Sequence, residues 1–289
     1  MESKVEIRTK DGRKIWLCCF SPAISVGKVM IVAPAAGLTQ DFYNTFAYFF
    51  LQWGFTVVTF DYRGIGSSAP EQLKGYQASM QQWAVQDIDA VIRYVRNNYP
   101  KQEIVYTGHA VGGEIIGLAQ GSQYISRLVL VNSALSCKKL WPMKDRFRIS
   151  AMKIAVRFLN KWFGYYPGML GNVPMGVMSE WSSWCNNANG LFDSFPDCNY
   201  RKLNIPLLAF SFTDDWHCPS RAVEELLSHF TSAVKTWYHI NPTDVGTKKI
   251  GHTGFFDPSM KTILWMKMVQ WIKEDEQRNS PTVEAVRKI

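Results

Sequence analysis

The chain has 289 residues, 47% of them hydrophobic and 19% charged, the balance of a globular chain rather than a disordered one. Its net charge of +8 comes from Lys and Arg spread along the sequence, without zinc-finger spacing, an RNA-binding aromatic signature or a basic tail. No nucleic-acid partner is therefore expected, and the charge reads as a solvated face. A run of about 18 apolar residues is missing, and the charged start "MESKVEIRTKDGRK" does not resemble a secretory signal. Six cysteines without a CxxC pair read as reduced thiols. The expectation is a cytoplasmic chain.

In chain order, "VEIRT" and "KIWLCCF" predict a hairpin over an Asp-Gly turn. "KVMIVAP" reads as a buried strand, "DFYNTFAYFFLQW" as a helix closed by Gly54, and "FTVVTF" as another strand leading into "DYRGIGSS". A long amphipathic helix follows from about Ala78 to Asn98, then the strand "EIVYTG", a helix from Val111 and the strand "RLVLVNSA". Strands alternating with helices predict an α/β fold with a mostly parallel sheet covered on both faces. The alternation stops at Ser136. Residues 137–200 are aromatic and basic and read as a mostly helical lid inserted between core segments 1–136 and 201–275. The second segment carries the strand "IPLLAFSF", the helix "SRAVEELLSHF", the strand "VKTWYHI" and a closing helix from about Pro258 to Glu274; 276–289 reads as a peripheral tail.

The chemistry concentrates in "YTGHAVGGEIIG". Gly108-His109-Ala110-Val111-Gly112 has the spacing of G-x-S-x-G, with alanine where the nucleophile stands. Such an elbow needs small neighbours because its central residue is strained, and the following helix start points free N–H groups at a developing oxyanion. An acid and a histidine must follow. Asp215, at the end of a strand and four residues before Pro219, is preferred over Asp214. His252, in the loop "KKIGHTGFF", is preferred as general base over His229 and His239, which read as structural. Ala36, in the loop "IVAPAAGLTQ", and Val111 are the expected oxyanion-hole donors. A metal reading of Asp214, Asp215, His217 and Cys218 is set aside because adjacent ligands crowd one another. Neither metal nor cofactor is expected.

With these residues placed, the chain resembles the α/β-hydrolases, and more narrowly a bacterial group of predicted α/β-hydrolases. The resemblance rests on "TFDYRGIGSS", "ASMQQWAVQDIDAVI", "GHAVGG", "FGYYPG", "LAFSFTDDWHCP" and "IGHTGFF". It implies a serine hydrolase with Asp215 and His252 in the triad and a lid over the pocket. Ala110 departs from that pattern. The first explanation is a deliberate Ser→Ala exchange that traps a ligand; the others are a protein that binds without cleaving, and another nucleophile such as water activated by His252.

The lid carries Trp141, Met143, Trp162, Phe163, Tyr165, Tyr166, Met169, Met175, Met178, Trp181 and Trp184. Together they imply a wide apolar pocket, with His109, Trp141, Met178, Trp181 and Trp184 as expected substrate contacts. The expected partner is a small-molecule apolar ester or lactone. Esterases that open macrolide antibiotic rings use this fold, and such a ring-opening resistance enzyme is the most specific expectation. In "KDRFRISAMKIAVRFLNKWF", Phe147, Ala151, Ile154, Phe158 and Trp162 share one helical face and Arg146, Lys153, Arg157 and Lys161 another. The apolar face is expected to pack on the core; the alternative is a helix resting on a membrane and feeding lipid esters or acyl thioesters to the site.

Overall fold

A computed structural model describes residues 1–168 and 171–279; Met169 and residues 280–289 of the expected tail lie outside it. The hairpin strands β1 (Glu2–Arg8) and β2 (Lys14–Phe20) pair antiparallel from Glu2 opposite Phe20 to Arg8 opposite Lys14. Then come β3 (Lys28–Ala33), α1 (Asn44–Gln52) and β4 (Thr56–Phe60). α2 (Met80–Gln82) runs through a π-helical turn at Trp83–Ile88 into α3 (Asp89–Asn98). Ser79 starts it: its hydroxyl accepts from the Gln82 N–H while the Gln82 side chain accepts from the Ser79 N–H, which satisfies two N–H groups at a helix start.

β5 (Glu103–His109), α4 (Val111–Glu114) and β6 (Arg127–Val131) lead to the lid: α5 (Met143–Trp162), the short ladder β7 (Tyr165–Pro167) with β8 (Asn172–Pro174), and α6 (Met175–Trp184). The chain returns through β9 (Pro206–Phe212), α7 (Ser220–Ser228), β10 (Val234–Ile240) and α8 (Met266–Asn279).

Eight strands form one sheet in the order β1-β2-β4-β3-β5-β6-β9-β10, antiparallel among β1, β2 and β4 and parallel from β4 onward. Period-two alternation sends side chains to two buried layers. Ile31, Val58, Tyr106 and Leu128 face Trp83 and Ile88 on one side. Val32, Val57, Val105 and Phe210 face Phe46, Phe50 and Trp265 on the other. Register brings Ala33 beside Gly108, Gly108 beside Leu130, and Val131 beside Phe210. The loops that follow these strands therefore open along one edge, where parallel sheets of this kind carry their sites.

Two expectations need correction. The helix from Val111 lasts one turn: the Tyr200 hydroxyl occupies the Glu114 carbonyl, the acceptor a continuing α-helix would offer to Leu118, and Leu118 N–H turns to Ile115 instead. The closing helix passes Glu274 and is described as far as Asn279, so it runs into the segment expected as tail from 276. The lid is mostly helical, with the β7–β8 ladder set between α5 and α6.

Candidate active site

Ala110 sits between β5 and α4 with φ 49° and ψ −114°, a conformation that strains any residue with a Cβ. Close packing holds it there. A Cβ on Gly108 would lie 2.5 Å from Gly113 Cα, and one on Gly112 would lie 2.5 Å from the Ala33 carbonyl oxygen. Only glycine fits either place, so the turn bends sharply against β3 and lifts residue 110 over the sheet edge. Val111 opens α4, and its N–H is among those a helix leaves without an internal acceptor.

Asp215 and His252 reach this edge from the loops after β9 and β10. His252 Nδ1 lies 2.7 Å from Asp215 Oδ2. Asp215 is buried, which raises its pKa, but hydrogen bonds from His217 and His252 outweigh burial and hold the carboxyl well below the usual carboxylate range. The ionised acid thus fixes the Nδ1–H tautomer and leaves Nε2 as the basic nitrogen. Asp214 plays a different part: its Oδ2 accepts from the Ile250 N–H at 2.8 Å and the Gly251 N–H at 2.9 Å, tying down the loop that carries His252. Asp215, His217 and His252 have ligand atoms within 4.8 Å of one another, the chemistry of a metal set. Ligands around one ion with bonds of about 2.0 Å stand roughly 3.3 Å apart in a tetrahedral shell, whereas the 2.7 Å Asp215–His252 contact has hydrogen-bond length.

His109 and Trp184 do not line the cavity, contrary to the expectation for substrate contacts. His109 is fully buried behind the elbow, and burial pushes its pKa down to about 3, so it is neutral. Its Nε2 lies 2.8 Å from the His252 carbonyl oxygen and must donate, so Nδ1 accepts from the Tyr43 hydroxyl at 2.8 Å. That hydroxyl in turn accepts from the Ala35 N–H at 3.0 Å. One chain of bonds therefore joins the loop of Ala35 and Ala36, the elbow and the loop of His252; Asn132 Nδ2 adds a bond of 2.8 Å to the same His252 carbonyl. Trp184 is buried against Phe195. It lies six residues past Met178, about 120° round the helix, and so turns away from the opening.

The cavity over the elbow has a volume of about 430 Å³ and is walled by Ala36, Ala110, Val111, Trp141, Met178 and Trp181, with His217 and His252 at its polar end. Tyr166, one of the lid aromatics, also lines it, as do Glu114 and Trp216, which were not foreseen. Glu114 had a sequence signal: four residues past position 110 on a helix is the same face.

The outer face of α5 overturns the expectation that its apolar side packs inward. Met143, Phe147, Ile154, Phe158 and Trp162 are 82, 80, 55, 65 and 69% exposed, while Ile149 and Val156 are buried beneath. Arg146 and Lys153, placed with the opposite basic face, bond inward to the Trp141 carbonyl and the Asn186 side chain.

An eight-stranded sheet in this order, with an elbow, an acid and a histidine on successive loops, is the α/β-hydrolase fold. The chain belongs to the hydrolase family described as serine aminopeptidase, S33, whose model matches residues 25–181; the match includes the elbow and ends before Asp215 and His252. No curated protein matches the chain. Among solved structures it is similar to the α/β hydrolase GrgF from Penicillium sp. sh18, at 17% identity and TM-score 0.63 over 95% of this chain and 98% of that one. An esterase from Pyrococcus furiosus matches at 16% identity and TM-score 0.63, covering 96% and 91%. A highly thermostable carboxyl esterase from Bacillus coagulans, solved with glycerol, matches at 12% and TM-score 0.66, covering 94% and 98%. Among the described residues no helix is long and apolar enough to cross a membrane.

Proposed function

We propose that the cavity receives a bulky, mainly apolar carboxylic ester or lactone, with a macrolactone as the most specific candidate, and that position 110 is the seat of the attacking group in an esterase mechanism. One observation carries this reading: a strained residue 110 and the Asp215–His252 pair lie at one sheet edge, with 110 and 252 on the wall of the same cavity. With serine at 110, His252 Nε2 takes the hydroxyl proton as oxygen attacks the carbonyl carbon. The N–H groups of Val111 and Ala36 receive the developing oxyanion, and His252 returns the proton to the leaving alcohol; water, giving its proton to His252, then attacks the serine ester and releases the acid, and His252 returns that proton to the serine oxygen. A methyl group at 110 removes that attack. Loss of a triad serine lowers turnover by about 10⁶-fold, some 8 kcal/mol of barrier, so the chain as it stands binds ligand and scarcely turns it over.

The test is Ala110→Ser, screened against esters, lactones and thioesters for the mass gain of one water. Hydrolysis of an apolar ester or macrolactone, lost again on His252→Ala, is the expected result. A serine variant inert toward all three classes would instead mark a binding protein, and hydrolysis indifferent to His252→Ala would remove the triad.

The exposed ridge of α5 favours a second reading, in which the ester is lipid-borne and the lid rests on an anionic bilayer. Lys144, Arg148, Arg157 and Lys161 are exposed along the same helix, and a basic helix with an outward apolar face complements anionic headgroups above an apolar interior.

A further inference from the structure

Glu114 is a carboxylate in an otherwise mainly apolar enclosure. It lies one turn past Ala110, its N–H bonded to the Ala110 carbonyl at 3.0 Å. It is 3% exposed and lines the cavity beside Ala110, Ala134, Ile149 and Met178. Its Oε1 accepts from the Ser136 N–H at 2.6 Å and its Oε2 from the Ser136 hydroxyl at 2.9 Å. Two oxygens have room for further donors, and neither bond brings positive charge. Burial pushes the carboxyl up to about 7 against the two Ser136 bonds, and no Lys or Arg enters the balance. The titratable groups that sense it are Cys185, Cys218 and Tyr200, each raised by burial and neutral. Lys138 and Lys153 act on Cys185 instead. A buried carboxylate that lacks a cation is costly, and the open space beside this one is where the ligand goes.

We infer that Glu114 is the counter-ion for a protonated amine on the ligand, so that the class accepted is an apolar ester or lactone bearing an amino group. This rests on the cavity being an ester site. An ammonium beside Glu114 completes a charge-assisted hydrogen bond in a cavity of low polarity, where such bonds are strongest. The rest of the molecule packs on Trp141, Met178 and Trp181.

The test uses the chain as it stands, with Ala110, titrated calorimetrically with two esters of 2-naphthoic acid. One is the 2-(dimethylamino)ethyl ester; the other is its neutral carbon isostere, the 3-methylbutyl ester. Near pH 7.5 the amine ester should bind at least about tenfold more tightly than the isostere. Near pH 5.5, where Glu114 is protonated and the amine remains charged, that advantage should shrink by about tenfold. Glu114→Gln should abolish the difference between the two esters. Equal binding of the two esters at both pH values would overturn the role of Glu114 and leave the ester site standing. Failure of both esters to bind would remove the ester site, and the amine inference with it. Should Glu114→Gln not fold, Glu114→Met, apolar and of similar length, takes its place, with the same loss of preference expected.

Discussion

Tyr43 links two loops through a single hydroxyl, which accepts from Ala35 and donates to His109, and His109 in turn holds the carbonyl of His252. This is positioning rather than chemistry, because neither side chain lines the cavity. Removing the hydroxyl leaves the Ala35 N–H and His109 Nδ1 without a buried partner, at a cost of about 1–3 kcal/mol in stability. In an Ala110→Ser background, Tyr43→Phe should lower kcat about tenfold with KM nearly unchanged, since the ground-state pocket survives while the oxyanion loop and the base lose their shared support. A matched rise in KM with kcat intact would mean that the bond shapes the pocket instead. Little of this network was legible beforehand. His109 reads as a contact residue because it adjoins position 110 in sequence; which side of the turn it faces is decided by Tyr43, 66 residues away.

At the scale of elements, local period proved a good guide to where strands and helices lie and a poor one to what faces them. The parallel strands are legible because both their faces are buried, which yields near-continuous Val, Ile and Leu runs. α5 shows the opposite case. Its apolar stripe at 147, 151, 154, 158 and 162 is visible in the sequence, but the stripe does not say whether protein or something else covers it, and here it points outward. Trp184 adds the same lesson, being apolar on a helix and turned to the core. The lid ridge predicts adsorption to vesicles. The chain should co-sediment with phosphatidylcholine vesicles containing phosphatidylglycerol and much less with phosphatidylcholine alone, with added salt weakening the binding. Phe147→Ser with Phe158→Ser should abolish it. Sedimentation unchanged by the double substitution would exclude this helix as the docking element.

For the whole molecule, the acid groups of the site set how stability responds to pH. Asp215 is depressed below its ordinary 3.8, so the stability it contributes is present above that value and lost in stronger acid. Glu114 is raised from 4.5 to about 7. The unfolded chain therefore releases this proton first, and stability falls as pH rises from 4.5 to about 7. Asp87, buried and also raised to about 7 despite its bond to Arg63, acts in the same direction. Glu114→Gln should remove only its own share: the variant's stability relative to the unaltered chain should rise between about pH 4.5 and 7.5, by up to roughly 3 kcal/mol. Parallel denaturation curves across that interval would show that Glu114 releases its proton at the ordinary carboxylate value in the folded chain, unshifted by burial. An amine-bearing ligand should narrow the same gap by stabilising the ionised acid.

The backbone at position 110 holds its bent form with only a methyl group to carry. Exchange of the first base of an alanine codon makes a serine codon, and the new side chain would enter a turn already shaped for it. The backbone would need no remodelling to carry a hydroxyl there, whichever way an exchange between serine and alanine runs.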